Sequence, residues 1–125
     1  MKIRLQGNSL RYRLRQPEVM RFKEEGIVEE KIVLGSGPDA VLCFSLRRKG
    51  SGNITVEYSS NAVIVGVPQQ VADPWSTTDQ VGWEADVDMG NGIILRVLVE
   101  KDFACLDRKE EDEKEGAYPN PAKTC

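Results

Sequence analysis

The chain has 125 residues, of which 40% are hydrophobic and 30% charged, with a net charge of −3 and no histidine. A chain of this length can form one domain with a core that needs no disulfide or metal, and no apolar run approaches the roughly 20 residues of a membrane span. The lack of histidine removes the commonest general base and metal ligand. The start alternates charged and apolar residues, unlike a signal peptide, so we expect a cytoplasmic protein.

Charge is distributed unevenly along the chain. Residues 1–50 carry a net charge of +5, and residues 51–125 carry −8. Such an asymmetry indicates either an anion-binding half or two halves that pair with each other.

The first predicted elements are a β-hairpin and a short helix. Pro17 suits the first turn of a helix, and Gly26 suits a left-handed C-terminal cap. Val19 and Phe22 lie three residues apart, so both can face the core. The predicted bounds are 2–6 and 10–15 for the strands and 17–25 for the helix.

Six further strands are predicted downstream of this helix. A second helical segment runs from Pro68 to Trp75 and is ended by Pro74, because proline disrupts a helix interior. Successive hairpins predict an α+β fold that is mostly antiparallel β, a curled sheet or partly open barrel of about eight strands with one or two short helices. The six strands are expected near 27–34, 40–48, 53–58, 62–67, 81–87 and 93–100.

The composition changes after residue 106. Residues 107–115 include no apolar side chain, and prolines follow at Pro119 and Pro121. We expect one α+β domain over 1–106 and an acidic C-terminal tail over 107–125.

The N-terminal hairpin carries the main candidate site. With a two-residue turn at Gly7-Asn8 or Asn8-Ser9, the apolar residues share one face, and positive charges collect on the other face. Like charges on facing strands destabilise a hairpin. Either a bound anion or acidic protein partner offsets this cost, or the carboxylates of the chain itself do so, or the side chains splay into solvent. The five cations predicted to bind the anion are Lys2, Arg4, Arg11, Arg13 and Arg15.

Carboxylates of the chain suggest a purely structural role for the cations and also a second functional hypothesis. Glu84, Asp86 and Asp88 alternate along one strand and can pair with the arginines, as can Glu29 and Glu30. Three carboxylates on one face can also bind a divalent metal. This alternative is a metal-dependent enzyme whose arginines hold a phosphorylated small molecule.

The three cysteines lack the paired spacing of a zinc site. Cys43 alternates with Val41 and Ser45, and we expect it to pack in a sheet. Cys105 ends the last strand and Cys125 ends the chain, so the two thiols can meet if the tail folds back. A disulfide or a soft-metal site is therefore a third hypothesis.

Other function classes have less support. A pI of about 5.1 and 6% aromatic residues argue against nucleic-acid binding. The sequence contains no Gly-x-Ser-x-Gly, phosphate-binding loop or dinucleotide motif. We therefore expect a non-enzymatic binding protein that needs no cofactor.

Several segments resemble a family of small bacterial proteins described as a domain of unknown function. The similar segments are residues 2–11 (KIRLQGNSLR), residues 99–106 (VEKDFACL), the acidic run 111–113 and residues 118–121 (YPNP). The resemblance implies a stand-alone cytosolic protein and assigns no catalytic residue.

Overall fold

The computed structural model describes residues 1–103, 116 and 118–119. Most of the tail that is predicted over 107–125 therefore lies outside the described residues. The described part contains eight strands and two helices. In chain order these are β1 (Lys2–Gln6), β2 (Ser9–Leu14), α1 (Gln16–Glu25), β3 (Ile27–Val33), β4 (Val41–Lys49), β5 (Thr55–Ser59), β6 (Ala62–Pro68), α2 (Gln69–Thr77), β7 (Gly82–Asp88) and β8 (Ile94–Lys101).

The strands form two four-stranded sheets. Sheet A has the order β1-β2-β8-β7, and sheet B has the order β3-β4-β6-β5. The four consecutive hairpins are antiparallel, but the central pairs β2–β8 and β4–β6 are parallel. The predicted α+β class and the number of strands are confirmed, whereas the predicted single curled sheet or partly open barrel is wrong.

The helices explain this difference. Each one follows a strand of one sheet and leads into a strand of the other, α1 from β2 to β3 and α2 from β6 to β7. Local alternation predicts hairpins, but it cannot indicate which hairpins share a sheet. The apolar inner faces of two separate sheets then bury each other.

The described chain consists of two halves with the same connectivity. Each half has the order ββαββ, and each sheet receives one hairpin from each half. The central registers also match, because Ser9 pairs with Arg96 and Ala62 pairs with Cys43, each residue having its counterpart 53 positions away. The fold therefore has an internal pseudo-two-fold relation.

Aromatic contacts in the core join the two halves and the two sheets. Phe22 of α1 and Trp75 of α2 occupy equivalent positions, are fully buried, and lie with ring centroids 5.8 Å apart. Between the sheets, Tyr12 of β2 packs edge-on against Phe44 of β4 at 6.5 Å. The predicted core positions Val19 and Phe22 are confirmed as buried.

Helix α2 extends beyond its predicted end. Pro74 lies inside the helix, which continues to Thr77. The hydroxyls of Thr77 and Thr78 donate to the carbonyl oxygens of Asp73 and Pro74 at 2.6 and 2.5 Å. These bonds and the burial of Trp75 hold a turn that proline alone disfavours.

The amino terminus is held inside the fold. The Met1 ammonium donates to the carboxylates of Glu18 in α1 and Glu30 in β3, the latter at 2.7 Å. Burial lowers the pKa of this ammonium, but the bonds and charges of the two glutamates outweigh burial and raise it. The contact places the start of β1 beside β3.

Candidate anion-binding face

The hairpin β1–β2 has the predicted two faces. Gln6 pairs with Ser9, so the turn is Gly7-Asn8, and Gly7 has a φ of 58° that glycine adopts without strain. Ile3, Leu10, Tyr12 and Leu14 turn towards sheet B, where Leu10, Tyr12 and Leu14 are buried. The outward positions form what we call the basic face, which consists of Lys2, Arg4, Arg11 and Arg13.

Like charges lie directly opposite each other on this face. Lys2 is the cross-strand partner of Arg13, and Arg4 is the partner of Arg11. Opposite residues of an antiparallel pair have Cβ atoms about 5 Å apart, and such like-charged pairs are destabilising. Two such pairs next to each other make this the most crowded positive surface of sheet A.

Glu100 of the neighbouring strand β8 compensates part of this charge. Its Oε1 accepts from Arg11 Nε and Nη2 at 3.0 and 2.6 Å and from Arg13 Nε at 2.7 Å. All three side chains are about one-seventh exposed. The carboxylate therefore holds the two guanidinium groups side by side in a semi-buried position.

The other predicted cations have different surroundings. Lys2 Nζ lies 3.1 Å from Asp102 Oδ2, and Arg4 Nη2 donates to Gln6 Oε1 at 3.3 Å. Arg15 lies outside the basic face, because β2 ends before it and it is the N-cap residue of α1. Its side chain is exposed and pairs with Glu18 at 3.5 Å.

Two shallow depressions adjoin on the outer surface of sheet A. One of about 260 Å³ is lined by the basic face and Ile3. The second has the same volume and shares Arg4 and Arg11 with the first. Its further lining residues are Gln6, Ser9, Leu10, Glu84, Arg96 and Leu98.

The second half of the chain supplies an internal comparison for the basic face. The positions equivalent to Lys2 and Arg4 on β5 hold Thr55 and Glu57. Those equivalent to Arg11 and Arg13 on β6 hold Ile64 and Gly66. The same hairpin, in the same register, thus forms without any of the four cations, so the fold does not require them.

The predicted metal ligands Glu84, Asp86 and Asp88 occupy the outer face of β7 at the far edge of sheet A. Asp86 pairs with Arg96 Nε at 3.1 Å, and Asp88 Oδ1 accepts from the Gly90 N–H at 2.8 Å. Among the described residues, no cluster of three or more carboxylate or thiol side chains is placed to hold a metal ion.

Sequence reasoning missed Glu100 and Arg96 as members of this surface. Both follow the outward alternation of β8, which was visible in the sequence. Their place beside the basic face depends on the parallel β2–β8 pairing, which has no local signature. Glu84 and Asp86 of β7 lie one strand further from β2 than Glu100, and Glu84 lines the second depression together with Arg4 and Arg11.

Of the three cysteines, Cys43 lies within the described residues. Cys43 lies on the outer face of β4, half-buried between Lys31 and Ala62. Burial and the nearby Glu29 charge raise the pKa of its thiol. Cys105 and Cys125 lie outside the described residues.

Comparison with known proteins identifies a family without assigning an activity. The profile of a family of unknown function (DUF7009) matches residues 1–122, so the chain belongs to that family. No curated protein and no solved structure matches the chain. Within the described residues, neither α1 nor α2 has the length and apolar composition of a membrane-spanning helix.

Proposed function

We propose that this member of a family of unknown function is a non-enzymatic cytoplasmic binding protein whose basic face engages an anion or an acidic partner. The observation that carries the proposal is the comparison of the two halves. The pseudo-equivalent hairpin of sheet B has a threonine, a glutamate, an isoleucine and a glycine where sheet A has four cations. Like-charged cross-strand pairs that a fold does not require are expected to serve binding.

The arrangement of the arginines supports the same conclusion. A guanidinium has five N–H donors in a rigid fork that suits phosphate and carboxylate oxygens. Glu100 orders two of these groups before a ligand arrives, so less side-chain entropy is lost on binding. The depression lined by the basic face, of about 260 Å³, is large enough for a phosphate group.

The first experiment measures thermal stability with phosphate, pyrophosphate, tripolyphosphate and an acidic peptide, each with and without magnesium. A ligand at a hundred times its dissociation constant stabilises the fold by about 2.7 kcal/mol. For a domain of this size, that shifts the melting temperature by roughly 8–16 °C. A requirement for magnesium would instead favour a metal-dependent reaction.

Two double variants distinguish a site from general charge effects. K2E with R4E reverses the two cations of β1, and we expect it to abolish the shift. K31E with R47E makes the same charge change on the outer face of sheet B, where Lys31 and Arg47 are exposed, and we expect the shift to persist. An equal loss in both variants, or no shift with any anion, would refute the proposal.

A further inference from the structure

The two edges of sheet A are complementary in charge. In the described chain, β1 and β7 each pair with a neighbour on one side only. The outward residues of β1 include Lys2 and Arg4. On β7 the outward residues are Gly82 and the three carboxylates Glu84, Asp86 and Asp88. One edge strand is therefore basic and the other acidic on the same face of the sheet.

The two edge strands also agree in direction and in their inner faces. Both run antiparallel to the central β2–β8 pair, so β1 and β7 point the same way. Opposite the charged residues, β1 presents Leu5, which is 65% exposed, and β7 presents half-buried Val87. A translated second copy would thus bring β7 beside β1 with charges matched on one face and apolar residues on the other.

The edge strands of sheet B also present apolar residues on the same two sides of the molecule. The Met1 contact with Glu30 places β3 on the β1 side of the molecule, and the pseudo-two-fold relation places β5 on the β7 side. On these two edge strands, Ile32 is 51% exposed and Tyr58 is 66% exposed. Each side of the molecule therefore has an exposed large apolar residue on the edge strand of sheet B, beside the edge strand of sheet A.

We infer that the acidic partner of the basic face is a second copy of this chain, whose β7 edge pairs with the β1 edge and continues sheet A from one molecule into the next. This inference rests on the proposed function and names its partner. Unpaired edge strands are known templates for such pairing. Contacts of β1 with β1, or of β7 with β7, would place like charges together and are disfavoured.

The contact joins two different surfaces, so it does not close at a dimer. Repetition of a head-to-tail contact without rotation gives open assemblies that grow with concentration. The charged residues lie near the surface, where salt screens their attraction over about 10 Å at 0.1 M. Association should therefore rise with protein concentration and weaken with added salt.

The test is sedimentation velocity of the full chain, from about 1 μM to about 1 mM, which covers weak to moderate affinities. At low salt we expect the mean mass to increase steadily with concentration, without a plateau at the dimer. High salt should return the mass to that of the monomer. A chain that is monomeric throughout the range at low salt would overturn the inference.

Charge reversal gives a matched pair of variants. K2E with R4E makes both edges acidic, and E84K with D86K makes both edges basic, so each variant alone should stay monomeric. An equimolar mixture should associate again, because opposite edges then face each other. Self-association of either variant like the wild type would also overturn the inference, and circular dichroism shows whether each variant is folded.

The outcome separates this inference from the proposed function. The wild-type chain could be monomeric and still show the melting-temperature shift with phosphate or peptide, with the shift abolished in K2E with R4E. That result would support the anion site and refute the self-association. Its charged edges would then act, as charged edge strands commonly do, to prevent pairing between copies.

Discussion

Glu100 offers the most informative single substitution, because it connects the stability of sheet A with the basic face. Its Oε1 accepts three N–H bonds from Arg11 and Arg13, at distances of 2.6 to 3.0 Å. In E100Q the size of the side chain is kept and the negative charge is removed. The two guanidinium groups then lie next to each other without the carboxylate that holds them.

The expected loss of stability follows from these contacts. A hydrogen bond to a charged group contributes about 1.5–3 kcal/mol, and the amide oxygen of glutamine retains part of this. Since the three side chains are about one-seventh exposed, solvent screening reduces the loss further. We expect E100Q to lose about 2 kcal/mol, or roughly 6–12 °C in melting temperature.

Anion binding should change in the opposite direction. The glutamine oxygen can still accept hydrogen bonds and hold the two guanidinium groups in place, while an added anion has less negative charge to compete with. Pyrophosphate should therefore bind about tenfold more tightly, which corresponds to 1.4 kcal/mol. Calorimetric titration and thermal unfolding measure the two effects on the same sample. The control is E57Q, which removes the same charge from an exposed position on β5 of sheet B.

The reasoning would be refuted by either of two results. If E100Q were as stable as E57Q, the contacts with the two arginines would contribute nothing to stability. If E100Q were destabilised but bound pyrophosphate less tightly, the ordering of the two arginines by the carboxylate would outweigh the effect of its negative charge.

Three further predictions concern the amino terminus, the core and the join between the halves. Because the pKa of the Met1 ammonium is raised, its stabilisation is complete below the unfolded pKa of about 8 and is lost as pH rises through the folded value. Thermal unfolding from pH 6 to pH 10 should therefore show a decline that is smaller in E18Q, in which Glu30 is the remaining carboxylate partner, and parallel curves would contradict this. The Tyr12 hydroxyl is buried near the Ser45 backbone but not in ordinary hydrogen-bond geometry. Y12F should therefore change stability by less than about 1 kcal/mol, whereas Y12A should lose about 3–5 kcal/mol. A large loss in Y12F during urea unfolding would show that the hydroxyl is bonded. The contact of Lys2 with Asp102 is pseudo-equivalent to that of Lys49 with Thr55, where five residues join the two halves. A circular permutant can therefore join Asp102 to Lys2 by five residues and open the loop between β4 and β5, with the C-terminal segment moved to the new end. We expect it to unfold cooperatively, and loss of cooperative unfolding would contradict the equivalence.

Local sequence patterns were enough to predict the hairpins and their faces. Alternation from Lys2 to Leu14 places apolar and basic residues on opposite sides of a β-hairpin, and the observed register confirms this. Pro17 and Gly26 marked the ends of α1 because their backbone preferences are local, and Gly26 has the expected left-handed φ of 78°. Such features depend only on residues that are close in sequence.

The end of α2 shows where local preference is not sufficient. Pro74 predicted the end of a helix, but the fully buried Trp75 packs against Phe22, which is more than fifty residues away in the chain. The contact across the core outweighs the local preference of proline, and the helix continues to Thr77.

The pairing of hairpins into sheets was decided only by the tertiary structure. Any of the four hairpins could follow another in one sheet by its pattern alone, since all of them alternate. The parallel β2–β8 contact joins residues nearly ninety positions apart and places Glu100 beside Arg11 and Arg13. The sequence by itself determined which residues could form a basic face, but burial of two apolar sheet surfaces against each other determined which carboxylate lies within it.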